Sequence, residues 1–374
     1  MLGRPEARPP GFFMAPFRPH RLTRLRSALR QNRAGAMLVS HLPNVFYLSG
    51  FTGENALLLV GRRRVTLFTD PRFTTQARQE CTGIGIEIVR GPLAPAVGES
   101  LRHAPPAGDV LIEEERLSVA QYSALRRAAR RCCSWRATHG LVEGMREVKD
   151  QGEIAGMREA ARVGCRVMRH AIECLRPGMT ELEVAAEIEF EMRKLGATGP
   201  SFETIVASGP RSALPHGRPT SKRLKKKELV VLDLGVILRG YCSDLTRTVH
   251  LGRASKEVRR WYQAVLQAQL AARGAVRAGI PAGDVDEAAR SVLRREGLER
   301  FFIHSTGHGL GIEVHERPSV ARNQTGKLRA GSVVTIEPGV YVPGRGGIRI
   351  EDDVLVKEAG SETLTGMPRE LLEL

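Results

Sequence analysis

The stretch Leu229-Val230-Val231-Leu232-Asp233-Leu234-Gly235-Val236-Ile237 constrains this chain more than any other, because it is an apolar strand with a single carboxylate in its middle. A charge in a buried strand is costly unless it is paired or bound to a cation, so Asp233 requires a partner. After a turn signal at Arg239-Gly240, a second strand runs from Tyr241 to Val249 and carries Asp244. Opposed residues of an antiparallel hairpin share a face, and a pairing centred near Leu238-Arg239 sets Asp233 opposite Asp244 with Cβ atoms roughly 5 Å apart. Two facing carboxylates repel unless they share a proton or a cation.

The same device recurs downstream. Val333-Val334-Thr335-Ile336-Glu337 leads through Pro343-Gly344-Arg345-Gly346-Gly347 into Ile348-Arg349-Ile350-Glu351-Asp352, and a hairpin centred on Gly344 places Glu337 across from Glu351. Between the two hairpins lies His304-Ser305-Thr306-Gly307-His308-Gly309, whose glycines allow close backbone approach while His308 supplies a nitrogen ligand. Taken singly, an aspartate in an apolar strand is more often salt-bridged or at a strand end, and a Gly-His-Gly carries no more weight. Together, four carboxylates and one histidine form a hard, oxygen-rich set suited to two divalent cations, manganese foremost, with cobalt, zinc and iron also accepted. Two such metals a few ångströms apart suit amide hydrolysis, since they acidify water and polarise a carbonyl.

The rest of the chain frames that site. At 374 residues two lobes are expected, and no run approaches the ~18 apolar residues that a membrane helix requires. Residues 1–19 hold five prolines and no apolar signal core, so they read as a flexible extension; the prolines also oppose the amphipathic helix of a transit peptide. Strands at Ala36–Val39, Ala56–Val60, Val65–Phe68, Ile84–Val89 and Asp109–Ile112, after a helix at Arg21–Gln31, make an α/β lobe over residues 20–146. Residues 147–374 read as an α+β lobe. Its helices are expected at Asp150–Leu175, Thr180–Leu195, Lys256–Ala278 and Val285–Glu296, and Thr180 with Glu183 forms a capping box. The six cysteines fall in no Cys-x-x-Cys pattern, as free thiols of a reducing compartment would, which points to the cytoplasm. The net charge of +16 permits loose contact with polyanions, but aromatics are only 5% of residues and no basic-aromatic motif occurs, so no specific nucleic-acid partner is expected. The Lys222–Lys227 cluster reads as a solvated loop.

These residues resemble the pita-bread metallopeptidases, a family that includes methionine aminopeptidase, prolidase, aminopeptidase P and creatinase. The resemblance assigns the dinuclear site to Asp233, Asp244, His308, Glu337 and Glu351. It further implies substrate-binding roles for His216, in Leu214-Pro215-His216-Gly217, and for His315, His304, Arg349 and Tyr341. His216 and His315 stand with Glu337 as catalytic, Glu337 being the general base. The N-terminal lobe is similar to the creatinase-type domain through Asn44–Gly53 and Asp70-Pro71-Arg72-Phe73, which methionine aminopeptidases lack. The resemblance therefore implies an Xaa-Pro aminopeptidase in which a hydroxide bridging two divalent metals is the attacking group. Its substrates would be peptides with proline second, and its assembly a homodimer or homotetramer. The alternatives are an Xaa-Pro dipeptidase and a metal-free binding module of the same fold.

Overall fold

Leu22, Leu25 and Leu29 recur at helical spacing and are buried on α1 (Pro19–Gln31), the first element of a computed structural model that describes residues 19–374. The flexible extension expected at residues 1–19 thus lies, but for Pro19, outside the described residues. The chain divides into two compact units, Met1–Met145 and Arg146–Leu374.

In the first unit α1 is followed by β1 (Ala34–Val39), α2 (Leu42–Ser49), β2 (Ala56–Gly61), β3 (Val65–Thr69), α3 (Thr74–Glu80) and β4 (Gly85–Ile88). Then come α4 (Leu93–His103), β5 (Asp109–Glu113), α5 (Val119–Ala129), β6 (Trp135–Thr138) and α6 (Leu141–Arg146). The strands make one mixed sheet in the order β4-β3-β2-β1-β5-β6. Every residue of β1 is buried, as a continuous apolar run in a central strand should be. The Asn44–Gly53 piece is α2 and its exit, which turns at Gly50 with a left-handed φ of 80°. Asn44 Nδ2 donates to the buried Glu113 carboxylate at 2.7 Å.

The second unit opens with α7 (Gln151–Cys174) and α8 (Glu181–Lys194). The capping box is present: Thr180 Oγ1 accepts from the Glu183 N–H at 3.1 Å, and Glu183 accepts from the Thr180 N–H at 2.6 Å. Six strands follow: β7 (Gly199–Pro200), β8 (Ile205–Ser208), β9 (Leu229–Leu234), β10 (Val236–Leu238), β11 (Tyr241–Cys242) and β12 (Leu245–His250). Then come α9 (Lys256–Ala275) and α10 (Ala282–Arg295). The last strands are β13 (Gly307–Gly309), β14 (Glu316–Val320), β15 (Val333–Ile336), β16 (Gly339–Val342), β17 (Gly346–Arg349), β18 (Asp352–Val356) and β19 (Ser361–Thr363). Leu232, Leu234 and Leu245 pack with Met168, Ile172 and Ile188 of α7 and α8, while Val334, Ile348 and Val354 pack with Val265, Ala268 and Val285 of α9 and α10. Side chains alternate along a strand, so covering Leu232 and Leu234 with helices turns Asp233 to the opposite face.

The first hairpin differs from the sequence expectation by two residues. Asp233 faces Thr246, not Asp244, because the turn is centred on Arg239-Gly240, whose φ angles of 52° and 81° are those of a two-residue hairpin turn. A shift of two keeps the face, so Asp244 lies diagonal to Asp233 rather than across from it. The second hairpin has the expected register on both sides of the pair: Ile336 faces Asp352 and Gly339 faces Arg349. Glu337 and Glu351 sit in the gap between those ladders, where the Glu337 N–H donates to Thr306 O and the Glu351 N–H to Thr246 O. Helix α10 starts three residues before the expected Val285, directly after the N-cap Pro281. Lys222 is not simply solvated, since its Nζ donates to Ser208 Oγ at 2.7 Å and to Glu228 at 2.8 Å. All six cysteines are free. No helix among the described residues is long and apolar enough to cross a membrane.

Candidate metal centre

A cleft of about 420 Å³ in the second unit gathers Asp233, Asp244, His308, Glu337 and Glu351, with His216, His304, His315 and Arg349 on its walls. Asp233 comes from β9, Asp244 from the break between β11 and β12, His308 from β13, and the two glutamates from the second hairpin. Ligand atoms of Asp244, His308 and Glu351 lie within 4.8 Å of one another.

Protons are arranged for a cation. His308 Nδ1 donates to Gly309 O at 3.0 Å, which leaves the Nε2 lone pair facing Asp244 Oδ2 at 3.7 Å and Glu337 Oε1 at 3.4 Å. Burial lowers the His308 pKa and so favours the neutral ring that a metal takes. Burial also pushes Asp244 and Glu351 well above the carboxylate range, and the charges of neighbouring carboxylates push them further. Glu337 is raised to about 7, chiefly by burial, with Arg349 pulling it down and Asp233 pushing it up. Asp233 Oδ1 is buried without a hydrogen-bond partner. Four carboxylates converge on a cleft whose one buried guanidinium among the described residues is that of Arg349, and an orphaned carboxylate oxygen remains among them. Divalent cations satisfy both conditions.

The flanking glycines are needed for close approach. A Cβ on Gly307 would stand 1.9 Å from Thr335 O, and one on Gly309 would stand 2.2 Å from Arg317 O. The neighbouring strands therefore close directly on the His308 backbone. His315 precedes β14, exposed at the cleft, with its ring 4.3 Å from that of His308. The next residue, Glu316, is tied to Arg146 and to Lys149 Nζ at 3.4 Å. His216 is exposed at the cleft, with Pro215 O accepting from Arg349 Nη1 at 3.1 Å.

Arg349 connects the centre to the histidines. Its Nη2 donates to Asp233 Oδ2 at 2.5 Å, its Nε to Thr246 Oγ1 at 3.1 Å, and its Nη1 to the Tyr341 hydroxyl at 2.7 Å. His304 Nδ1 donates to Ser305 O at 2.8 Å, so its Nε2 accepts from Tyr341 at 2.9 Å. Burial lowers the His304 pKa to about 4, with the Arg349 charge adding to it, which agrees with that neutral tautomer. Tyr341 itself is buried behind these two residues and does not line the cleft, in contrast to the substrate contact expected of it.

Sequence reasoning missed three polar groups. Thr246 donates to Glu351 at 2.5 Å, Thr335 donates to Glu337 at 3.2 Å, and Asp353 accepts from the Asp244 N–H at 3.1 Å. Each lies two residues from a candidate ligand, on the same strand face, so the period of two was the signal that could have found them.

Residues 155–358 match metallopeptidase family M24, and residues 21–148 match the creatinase/prolidase N-terminal domain. Among solved structures, an Xaa-Pro dipeptidase from Bacillus anthracis is 37% identical with a TM-score of 0.91, covering 95% of this chain and 99% of that one. An X-Pro aminopeptidase from Thermotoga maritima is also 37% identical, with a TM-score of 0.86 and coverage of 92% and 100%. The prolidase from Pyrococcus horikoshii is 34% identical, with a TM-score of 0.87 and coverage of 94% and 100%.

Proposed function

This chain belongs to metallopeptidase family M24, and from that premise we propose that it removes an N-terminal residue preceding proline, as an Xaa-Pro aminopeptidase. Asp233, Asp244, His308, Glu337 and Glu351 would hold two divalent cations, manganese first. Bound there, the cations supply Lewis acidity toward the scissile carbonyl and toward water. The observation that carries this reading is the convergence of Asp244, His308 and Glu351 on one point, with the His308 proton held on the far nitrogen.

The chain's own residues then have distinct tasks. Glu337 takes the proton of the attacking water and passes it to the prolyl nitrogen. His315 donates to the oxygen on which charge develops, and His216 and His304 hold the peptide. Arg349 keeps Asp233 oriented through the 2.5 Å ion pair.

A dipeptidase reading has its own support in Arg218. This exposed guanidinium lines the cleft, paired with Glu203 at 2.8 Å, and is a cation available to the free carboxylate of an Xaa-Pro dipeptide. The test is residue release from matched Xaa-Pro-Yaa, Xaa-Pro and Xaa-Ala-Yaa peptides with added Mn²⁺. Cleavage of the tripeptide and not of the alanine analogue is expected. Cleavage of the dipeptide alone, with KM raised several-fold by Arg218→Ala, would replace the aminopeptidase reading with the dipeptidase one.

A further inference from the structure

A second cluster of metal-ligating side chains lies between α7 and α8, and none of its members lines the cleft. His170 and Cys174 are one helical turn apart on α7, so both project to the same side, where α8 presents Glu187. His170 Nε2 stands 3.4 Å from Cys174 Sγ and 3.7 Å from Glu187 Oε2, and one atom from each residue falls within a 4.8 Å span. We propose that His170, Cys174 and Glu187 form a mononuclear site for a borderline transition-metal cation of the Zn²⁺ class, with solvent completing the coordination.

The two distances to His170 Nε2 are those of ligands around a shared ion. Tetrahedral zinc with bonds of about 2.0 Å to nitrogen or oxygen and about 2.3 Å to sulfur separates its ligand atoms by roughly 3.3–3.8 Å. The same three residue types could suggest a nucleophilic thiol with its base, but the geometry is wrong for a relay. In a relay the thiol meets one ring nitrogen and the carboxylate orients the other. Here sulfur and carboxylate both approach Nε2 most closely, the sulfur at 3.4 Å from Nε2 against 3.8 Å from Nδ1, so the carboxylate and the thiol meet the same ring nitrogen. One thiolate, one imidazole and one carboxylate select Zn²⁺ or Co²⁺ over Mn²⁺ or Mg²⁺. The site is half open, with side-chain exposures of 30% at His170 and 50% at Glu187, so an ion can enter from solvent.

The metal ligands expected in the cleft include no sulfur, so a cobalt–thiolate signal separates the two sites. The experiment is a Co²⁺ titration of the reduced, chelator-stripped full chain, followed by near-ultraviolet absorbance and, for the fold, by circular dichroism. A thiolate-to-cobalt charge-transfer band that saturates with one equivalent, is bleached by equimolar Zn²⁺, and disappears in Cys174→Ser and His170→Ala is the expected result. The exposed Glu187→Gln provides a variant with little risk to folding, and its band should require at least about ten-fold more Co²⁺. No band in the wild-type chain, or a band that persists in folded Cys174→Ser, overturns the proposal. Neither result bears on peptide hydrolysis.

Discussion

One oxygen, the Tyr341 hydroxyl, accepts from Arg349 and donates to His304, so it orients both the guanidinium that holds Asp233 and a histidine of the cleft wall. Tyr341→Phe removes a partner from the buried Arg349 and from the partly buried His304 and should cost about 1–3 kcal/mol of stability. It should also lower kcat while metal content, read by elemental analysis, stays at the wild-type level. In the metal-free chain Glu337 is raised from the ordinary 4.5 to about 7, so its contribution to stability is complete below the ordinary value and is lost as pH rises through 7. In thermal melts of chelator-stripped protein, the wild-type Tm minus that of Glu337→Gln should therefore fall from about pH 5 to about pH 8, the histidines contributing equally to both. A difference that rises over that range would contradict the burial of this carboxylate. The metal-ligand candidates were legible because a carboxylate inside an apolar strand is conspicuous. Thr246, Thr335 and Asp353 were not, since threonine is ordinary in strands and Asp353 is the last of three consecutive acids.

Helix α8 positions the cleft from its first turn. Glu181, wholly buried, accepts from the Ser208 N–H at 2.9 Å, from Arg211 Nε at 3.0 Å and from the Thr220 hydroxyl at 2.7 Å, bracketing the segment that carries His216. Glu181→Ala should release that segment and raise KM several-fold more than it lowers kcat, measured on Xaa-Pro-Yaa peptides. Thr180→Ala removes only the cap and should cost about 1 kcal/mol in a denaturant melt, with kinetics unchanged. Elements with local signals were readable from sequence: α7 and α8 begin at capping boxes, and the strands around Asp233 and Glu337 are continuous apolar runs. What tertiary structure decides was not readable. Helix α9 stops at Ala275, before the expected Ala278, because the Ala278 N–H pairs with Lys357 O instead of continuing the helix. The first hairpin's register depended on whether Arg239, a residue with a Cβ, would adopt a positive φ.

At the scale of the chain, the two family matches take in residues 21–148 and 155–358, so the catalytic unit comes with a creatinase-type N-terminal unit. The two proline-specific solved relatives that are 37% identical differ in the peptide length their names imply. Arg218 and Glu203 line the cleft wall of this chain, and the contact with a dipeptide carboxylate proposed for Arg218 rests on that position and not on any motif. The central claim is that the clustered carboxylates and His308 hold the cations on which Xaa-Pro hydrolysis depends. It is tested most directly by removing metal from the full chain, adding Mn²⁺ back, and following release of the first residue from an Xaa-Pro-Yaa peptide, with Asp244→Asn in parallel. The account predicts that stripping abolishes release and that Mn²⁺ restores it. Asp244→Asn, folded by circular dichroism, should stay more than about 100-fold below the wild-type rate at the same Mn²⁺ concentration. Full release by the metal-free chain, or wild-type activity in Asp244→Asn, would contradict the account.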